Sequence, residues 1–386
     1  MKPTNPVYTG LPMTIFEVMS RLAIEHNAIN LGQGFPDVDG PADVKEFAAR
    51  EIAAGQNQYP PMMGAPELRQ AVAVAARRFY GLDIDWQREV LITSGATEAI
   101  SDCFAALIEP GDEVVLIEPL YDCYLPLVRR AGGIPRLVRL TPPDWRLDAE
   151  ALAAAFGPKT KAILVNNPMN PAARVFNAAD LALIAELVVK HDAYAIADEV
   201  YEHILFDGRH HTPLMTLPGM RERTVRIGSA GKTFSLTGWK VGYVTAAPHL
   251  LEPITRAHQF TTFTTAPNFQ RAVAYGLGKD DAYYAGLAGD LEAKRDRFAD
   301  GLAKLGFGVA PCEGTYFITA DTAPLRRDVD DVEFSRRMTV EAGVTPVPLS
   351  AFYESDPPRT FVRFCFSKKD DVLDAALDRV GKWLAQ

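Results

Sequence analysis

The sequence predicts a large α/β domain built on a mostly parallel, seven-stranded sheet, followed by a smaller α+β domain. Three observations carry that expectation. Seven short apolar runs recur between residues 89 and 248, several of them apolar on both faces as buried parallel strands are. The stretches between them carry helical apolar spacing, as in "TEAISDCFAALI" (97–108) and "AADLALIAELVVKH" (178–191). From about residue 285 the pattern changes to a long amphipathic segment, two strand-like runs and a closing helix.

In chain order the expected strands are "EVLITSGA" (89–96), "DEVVLIEP" (112–119), "GIPRLVRL" (133–140), "KAILVNNP" (161–168), "AYAIADEV" (193–200), "TVRIGSA" (224–230) and "VGYVTAAP" (241–248). The second domain is expected to comprise a helix over "LEAKRDRFADGLAKLGF" (291–307), strands in "GTYFITA" (314–320) and "TFVRFCF" (360–366), and a helix over "DDVLDAALDRVGKWLAQ" (370–386). The expected boundaries are an N-terminal arm at 1–35, the large domain at 36–284 and the small domain at 285–386.

Composition narrows the chemistry. The chain has 386 residues, 48% of them hydrophobic and 23% charged, with a formal net charge of −9. A phosphate backbone is held by basic surfaces, so this balance argues against a nucleic-acid partner and points to small molecules. No segment approaches the roughly 20 apolar residues of a membrane span and no apolar run of signal-peptide length opens the chain, so no membrane partner and a cytoplasmic location are expected. Cys103, Cys123, Cys312 and Cys365 are scattered without C-x-x-C spacing, which suggests free thiols rather than a zinc site or a disulfide framework.

The stretch "RIGSAGKTFSLTGWKVGY" (226–243) superficially resembles a nucleotide-binding loop. A P-loop needs four residues between its first glycine and Gly-Lys-Ser/Thr, whereas only Ser229 and Ala230 separate Gly228 from Gly231. A P-loop also opens into a helix, whereas here Gly238 and Gly242 break up the residues after Lys232. Lys232 therefore reads either as an amine presented to a ligand's carbonyl or as a solvated surface lysine.

In doubly wound sheets ligands lie beyond the carboxyl ends of the strands, so the loops after each run hold the candidates. Ser94-Gly95-Ala96-Thr97 offers backbone N–H groups and a positive helix end to an anion. Asp198, after "AYAIA", can ligate a metal, pair with a cation or cap the next helix. In "NNPMNPAARVF" (166–176) two Asn-Pro steps make a stiff loop that aims Asn170 at a ligand or simply turns the chain.

Taken in order, "NLGQGFPDVDGP", "NQYPPMMGAPELRQAV", "SGATEAI", "EPLYDCY", "NNPMNP", "ADEVYEHI", "SAGKTFSLTGWKVGY" and "FVRFCF" resemble the fold type I, class I/II pyridoxal-phosphate aminotransferases over nearly the whole chain. The nearest likeness is to the branch of kynurenine/glutamine-type and methionine-type bacterial transaminases. The resemblance implies a ping-pong transfer of an α-amino group to a 2-oxo acid, pyridoxal 5′-phosphate as cofactor, and a homodimer with composite active sites. Lys232 matches the lysine that holds the cofactor covalently and shuttles the substrate α-proton. Asp198 matches the carboxylate that pairs with the ring nitrogen and keeps it protonated. Tyr201 and Asn170 match the groups that bond the ring's phenolic oxygen, and Tyr121 the aromatic that stacks on the ring. Gly95, Ala96 and Thr97, with Ser229 and Lys240, match the phosphate cup, Lys240 standing where other branches have arginine. Arg363 matches the arginine that grips the substrate carboxylate as a bidentate fork, with Gly32 beside it and Asn170 nearby. Tyr59 matches a tyrosine that reaches the phosphate of the neighbouring subunit.

One position departs from the family pattern: Ala173 replaces the glycine that usually ends Asn-Pro-x-Asn-Pro-x-Gly, and a positive φ there would strain it. No arginine matches a second carboxylate clamp, and Arg21 and Arg256 are the cations that would have to fold into the pocket to supply one. "PMTIF" (12–16), Tyr121 with Tyr124, and "HQFTTFTTAPNF" (258–269) are expected around the substrate side chain. They are mostly aromatic, apolar or hydroxylic, so neutral amino acids are expected: methionine and glutamine first, aromatic ones next. The alternatives are an N-succinyl-diaminopimelate aminotransferase and a C–S β-lyase.

Overall fold

The computed structural model describes residues 2–325 and 328–386. Among these residues the strands, in chain order, are β1 Ile29–Asn30, β2 Val90–Thr93, β3 Glu113–Glu118, β4 Ile134–Arg139, β5 Thr160–Asn166, β6 Tyr194–Asp198, β7 Thr224–Ser229, β8 Gly242–Thr245, β9 Gly308–Val309, β10 Phe317–Asp321, β11 Val344–Thr345, β12 Val347–Pro348 and β13 Phe361–Cys365.

The seven expected runs all form strands of one sheet, in the order β2-β8-β7-β6-β5-β3-β4. Every pairing is parallel except those of β8, which runs against both β2 and β7. β3 and β7 are buried at every residue; this explains the apolar run Val114–Ile117 in β3, while β7 buries Arg226 paired with Glu199 and Glu202. β4 is one of the two edge strands, with β2 at the other end; it tolerates Pro135 because nothing pairs with its outer side. Helices cover both faces. Helix Ala178–Lys190 starts at a capping box in which Asn177 and Asp180 satisfy each other's backbone N–H groups. Helix Ala96–Leu107 starts at Gly95, which brings no capping side chain.

The orientation of β8 matters for the site. Because it is antiparallel, its first residues share the sheet edge with the last residues of β2 and β7: Gly242 pairs with both Thr93 and Ser229. Lys240, two residues before Gly242, is thereby brought to the carboxyl edge beside Gly95 and Ser229.

Helix Asp281–Lys304, 24 residues and thus about 36 Å long, runs through the boundary expected at 284/285 without a break. Beyond it, β12-β13-β10-β9 form an antiparallel sheet, and β1 from the N-terminal arm pairs in parallel with β11. The strand expected over 314–320 begins later, at Phe317. Arg363 sits in mid-sheet on β13, opposite Thr319 and Val347. The closing helix Asp370–Leu384 buries Leu373, Ala376, Val380 and Trp383, one stripe at helical spacing. All four cysteines are free thiols. Among the described residues, no helix is long and apolar enough to cross a membrane.

Candidate active site

A cavity of about 380 Å³ opens at the carboxyl ends of β5, β6 and β7, lined by Gly95, Ala96, Thr97, Tyr121, Asn170, Asp198, Tyr201, Ser229, Lys232, Lys240 and Arg363. Strands and loops distant in sequence thus deliver one set of side chains to one place.

Lys232 does not hang on an open loop. It lies in a one-turn helix, Ala230–Thr233, that continues directly from β7. Its Nζ donates to Tyr316 Oη at 2.9 Å, and that hydroxyl donates to the Gly34 carbonyl at 2.9 Å. The ammonium also lies 5.5 Å from the ring centroids of Tyr201 and Tyr316, within range of their negative faces.

Asp198 ends β6 and is buried. Its Oδ2 accepts from Tyr124 at 2.5 Å, while Oδ1 is buried with no hydrogen-bond partner. Burial pushes its carboxyl up to about 6, against the Tyr124 bond, the Val200 N–H and the nearby Lys232 charge. A buried carboxylate with one oxygen left open is an acceptor waiting for a cation or an N–H.

At the opposite end of the cavity Arg363 is buried without a carboxylate partner. Its Nη1 donates to Asn170 Oδ1 at 2.9 Å and its Nη2 to the Gly32 carbonyl at 2.6 Å, leaving Nε unsatisfied. Phe317 lies under the guanidinium at 4.0 Å, with Phe16 and Phe352 at 5.1 and 5.2 Å. Burial pulls its pKa down to about 10. Gly32 takes part through its carbonyl; its N–H is turned to the Asn30 side chain at 3.0 Å.

Gly95, Lys240 and Gly242 shape an anion-sized recess at the start of helix Ala96–Leu107. Gly95 has φ +84°, and a Cβ there would come within 3.1 Å of Lys240 Nζ. A Cβ on Gly242 would come within 2.7 Å of the Gly95 carbonyl carbon and 2.9 Å of the Ala96 nitrogen. Backbone N–H groups at an uncapped helix start, one ammonium and the Ser229 hydroxyl fit a phosphate. With Lys232, the open oxygen of Asp198 and this recess, the residues fit pyridoxal phosphate.

The family pattern for aminotransferase class I and II matches residues 26–380. The chain belongs to the class I and II aminotransferases. It is 45% identical over 379 residues to a protein of Mycobacterium tuberculosis described as a probable N-succinyldiaminopimelate aminotransferase, with 95% of each chain covered. It is 40% identical over 370 residues to the methionine aminotransferase of Escherichia coli, with 96% of each covered. The solved N-succinyldiaminopimelate aminotransferase of M. tuberculosis superposes with a TM-score of 0.96 at 44% identity, covering 99% of this chain and 100% of the other. Like the rest of its family, this aminotransferase is pyridoxal-phosphate-dependent.

Several expectations about the aminotransferase's pocket need correction. Tyr124, expected beside the substrate side chain, does line the cavity, but its hydroxyl donates to Asp198. No residue of 258–269 lines the cavity: His258 is buried in a polar cluster, and Phe260 and Phe263 are 85% and 38% exposed. Tyr59, expected to serve the neighbouring subunit and so not at odds with this chain's cavity, lies outside it, 82% exposed, its ring edge-on to Phe263 at 5.4 Å. Of "PMTIF", Phe16 lines the site. Four contributors are not singled out in the sequence: Phe317, which lines the cavity, Tyr316, which accepts from Lys232, and two residues inside quoted motifs, Gln33 in "NLGQGFPDVDGP" and Asn166 in "NNPMNP", the last donating to the Asp198 carbonyl and accepting from the Asn170 N–H.

Proposed function

We propose that this aminotransferase moves the α-amino group of a medium-sized neutral L-amino acid, methionine or glutamine first and aromatic ones next, to a 2-oxo acid by a ping-pong mechanism. The observation that carries the reading is the pair of open groups at the two ends of one cavity: Oδ1 of Asp198 and the guanidinium of Arg363. The bound cofactor supplies an electron sink for the electrons of the bond broken at the substrate α-carbon. Asp198 holds its ring nitrogen protonated. Asn170 and Tyr201 bond its phenolic oxygen, Tyr121 limits its tilt, and Gly95, Ala96, Thr97, Ser229 and Lys240 hold its phosphate. Arg363, flanked by Asn170 and Gly32, grips the substrate carboxylate, which places the α-hydrogen toward Lys232. Lys232 Nζ serves as the covalent anchor and then takes and returns the α-proton. Tyr316, bonded to that amine, orients it between turnovers.

The side-chain preference rests on cation bookkeeping. Among the described residues the cationic groups lining the cavity are Lys232, Lys240 and Arg363, and each has a task in this reading. Arg256 is exposed and paired with Glu252, and Arg21 is exposed, so neither is placed to take a second carboxylate within this chain. A second reading, an N-succinyl-diaminopimelate donor, is favoured by the 45% identity to the M. tuberculosis relative. The active unit in this proposal is a homodimer in which Tyr59 reaches the partner's phosphate cup.

Borohydride reduction of the pyridoxal-phosphate-loaded enzyme, with peptide mass spectrometry of the product, tests the anchor. The expected result is a cofactor adduct on the peptide containing Lys232 and none in Lys232→Ala, together with loss of transamination. An adduct retained in that variant overturns the assignment.

A further inference from the structure

Behind the recess, outside the cavity, Glu98 and Asp102 of helix Ala96–Leu107 and His258 of helix Pro248–Thr261 bring three possible ligand atoms within 4.8 Å of one another, all buried. The hydrogen-bond pattern argues against a metal ion. His258 Nε2 is 3.1 Å from the Met62 carbonyl oxygen and Nδ1 is 2.6 Å from Glu98 Oε1. A carbonyl only accepts, so Nε2 bears a hydrogen; a carboxylate likewise draws a hydrogen onto Nδ1, leaving no lone pair for a metal. Burial disfavours the imidazolium, but the nearby Asp102 carboxylate and the bonded Glu98 outweigh it and hold His258 at about 9. Asp102 Oδ1 accepts from Thr261 at 2.8 Å, and its Oδ2 lies 3.7 Å from His258 Nδ1. Glu98 Oε1 also accepts from Thr262 at 2.5 Å, and Glu98 Oε2 accepts from the Ser94 N–H.

Glu98 is the third residue of the helix whose start forms the recess. Its bond to the Ser94 N–H shapes the turn into Gly95. Yet a bare carboxylate one turn from a phosphate dianion would occupy the same positive helix end and repel the ligand. We propose that His258 is a positioning residue for the cofactor phosphate. Its imidazolium neutralises Glu98, so the carboxylate can hold the Ser94–Gly95 turn without opposing the anion, and its second N–H ties this helix to the 59–63 segment through Met62. The inference rests on the reading of Gly95–Thr97 as the phosphate cup.

The test is titration of the apoenzyme with pyridoxal phosphate and with pyridoxal, which lacks the phosphate, monitored by absorbance. His258→Gln is expected to weaken pyridoxal phosphate by about tenfold or more, the order of one lost unit charge near the site, and pyridoxal by less than about threefold. His258→Gln/Glu98→Gln, which removes the imidazolium and the carboxylate bonded to it and leaves Asp102, whose carboxyl burial pushes up, is expected to return within about threefold of wild type. Equal weakening of both ligands, or no recovery in the double variant, overturns the proposal. Glu98→Gln alone gives an independent check: affinity for pyridoxal phosphate equal to or tighter than wild type supports it, and a loss of about tenfold overturns it. If wild type binds pyridoxal phosphate no more tightly than pyridoxal, the cup assignment itself fails, whatever the role of His258.

Discussion

The hydroxyl of Tyr124 donates to Oδ2 of Asp198 at 2.5 Å and leaves Oδ1 as the buried oxygen with no partner. The carboxylate is thus fixed in orientation while half of it stays open toward the cavity.

Such an arrangement has a measurable cost in the apoenzyme. Burial raises Asp198 from 3.8 to about 6. Because the folded value lies above the unfolded one, the ionised form destabilises the apoenzyme above about pH 6, and the penalty fades as pH falls toward 4. At roughly 1.4 kcal/mol per pH unit the penalty is up to about 3 kcal/mol. Asp198→Asn is expected to stabilise the apoenzyme by up to that amount near neutral pH and to change little near pH 4, as read by urea denaturation. Equal effects at both pH values would sink this account of the site. The same variant should lose transaminase activity, since an amide cannot hold the ring nitrogen protonated.

Arg363 is the mirror case, a buried cation whose Nε has no partner. Arg363→Ala is expected to lower kcat/KM for the amino acid by about 30-fold or more, in line with the 2 to 5 kcal/mol typical of losing one member of a buried charge-assisted pair. Arg363→Lys keeps the charge but not the fork and should recover only part of that loss. An unchanged kcat/KM in the alanine variant would show that the substrate carboxylate binds elsewhere.

Ala173 has φ +57° and is fully buried, with its carbonyl accepting from the Glu313 and Gly314 N–H groups. Ala173→Gly would relieve about 1 kcal/mol of left-handed strain. It would also remove a buried methyl, about 0.8 kcal/mol, and add backbone entropy to the unfolded chain, about 0.5–1 kcal/mol. These effects nearly cancel, so a change within about 1 kcal/mol is expected. Ala173→Val, which puts a β-branched side chain at the same φ, should destabilise by more than about 2 kcal/mol. If denaturation midpoints placed valine level with alanine, the backbone would have to differ from that described.

The strain at Ala173 is legible in the sequence because a seven-residue motif fixes where the glycine belongs. The strands are legible for a similar reason: burial on both faces leaves a local signature in several of the runs, while β4 at the edge is mostly exposed or half-buried. What stays hidden lies in contacts between distant segments. Tyr316 reaches Lys232 across 84 positions and His258 reaches Glu98 across 160, with no periodicity or spacing to announce either. Tyr124 is conspicuous in the sequence, but an aromatic after a strand end says nothing about where its hydroxyl points. The one-turn helix around Lys232 leaves no trace for want of length, since four residues cannot show a 3.6-residue period.

Tyr59 and Phe263 form an exposed aromatic pair outside the cavity. If Tyr59 completes the phosphate cup of a second subunit, Tyr59→Phe removes one hydrogen bond to the phosphate and should weaken cofactor binding by about threefold to tenfold. The enzyme should also run as a dimer in light scattering. A fully active monomer, or unchanged cofactor affinity in the variant, would remove Tyr59 from the site.

If Arg363 grips the carboxylate, every α-amino acid offers it the same one, and selectivity is expected to arise from the rest of the lining, which includes Phe16 and Gln33. Apolar and amide surfaces accept a thioether, a carboxamide or an aromatic ring without leaving a charge unpaired. A side-chain carboxylate buried there would lack a cation among the described residues, a penalty of several kcal/mol. The expected ranking by kcat/KM is methionine and glutamine first, aromatic donors next and aspartate last, the gap to aspartate being about 100-fold or more. A donor panel including N-succinyl-diaminopimelate measures this directly. A clear preference for that compound or for aspartate would mean that the partner subunit supplies the missing cation at the composite site. Pyruvate release from cystathionine without a keto-acid acceptor would instead show β-elimination, in which the α-proton is still removed but the sulfur substituent then leaves.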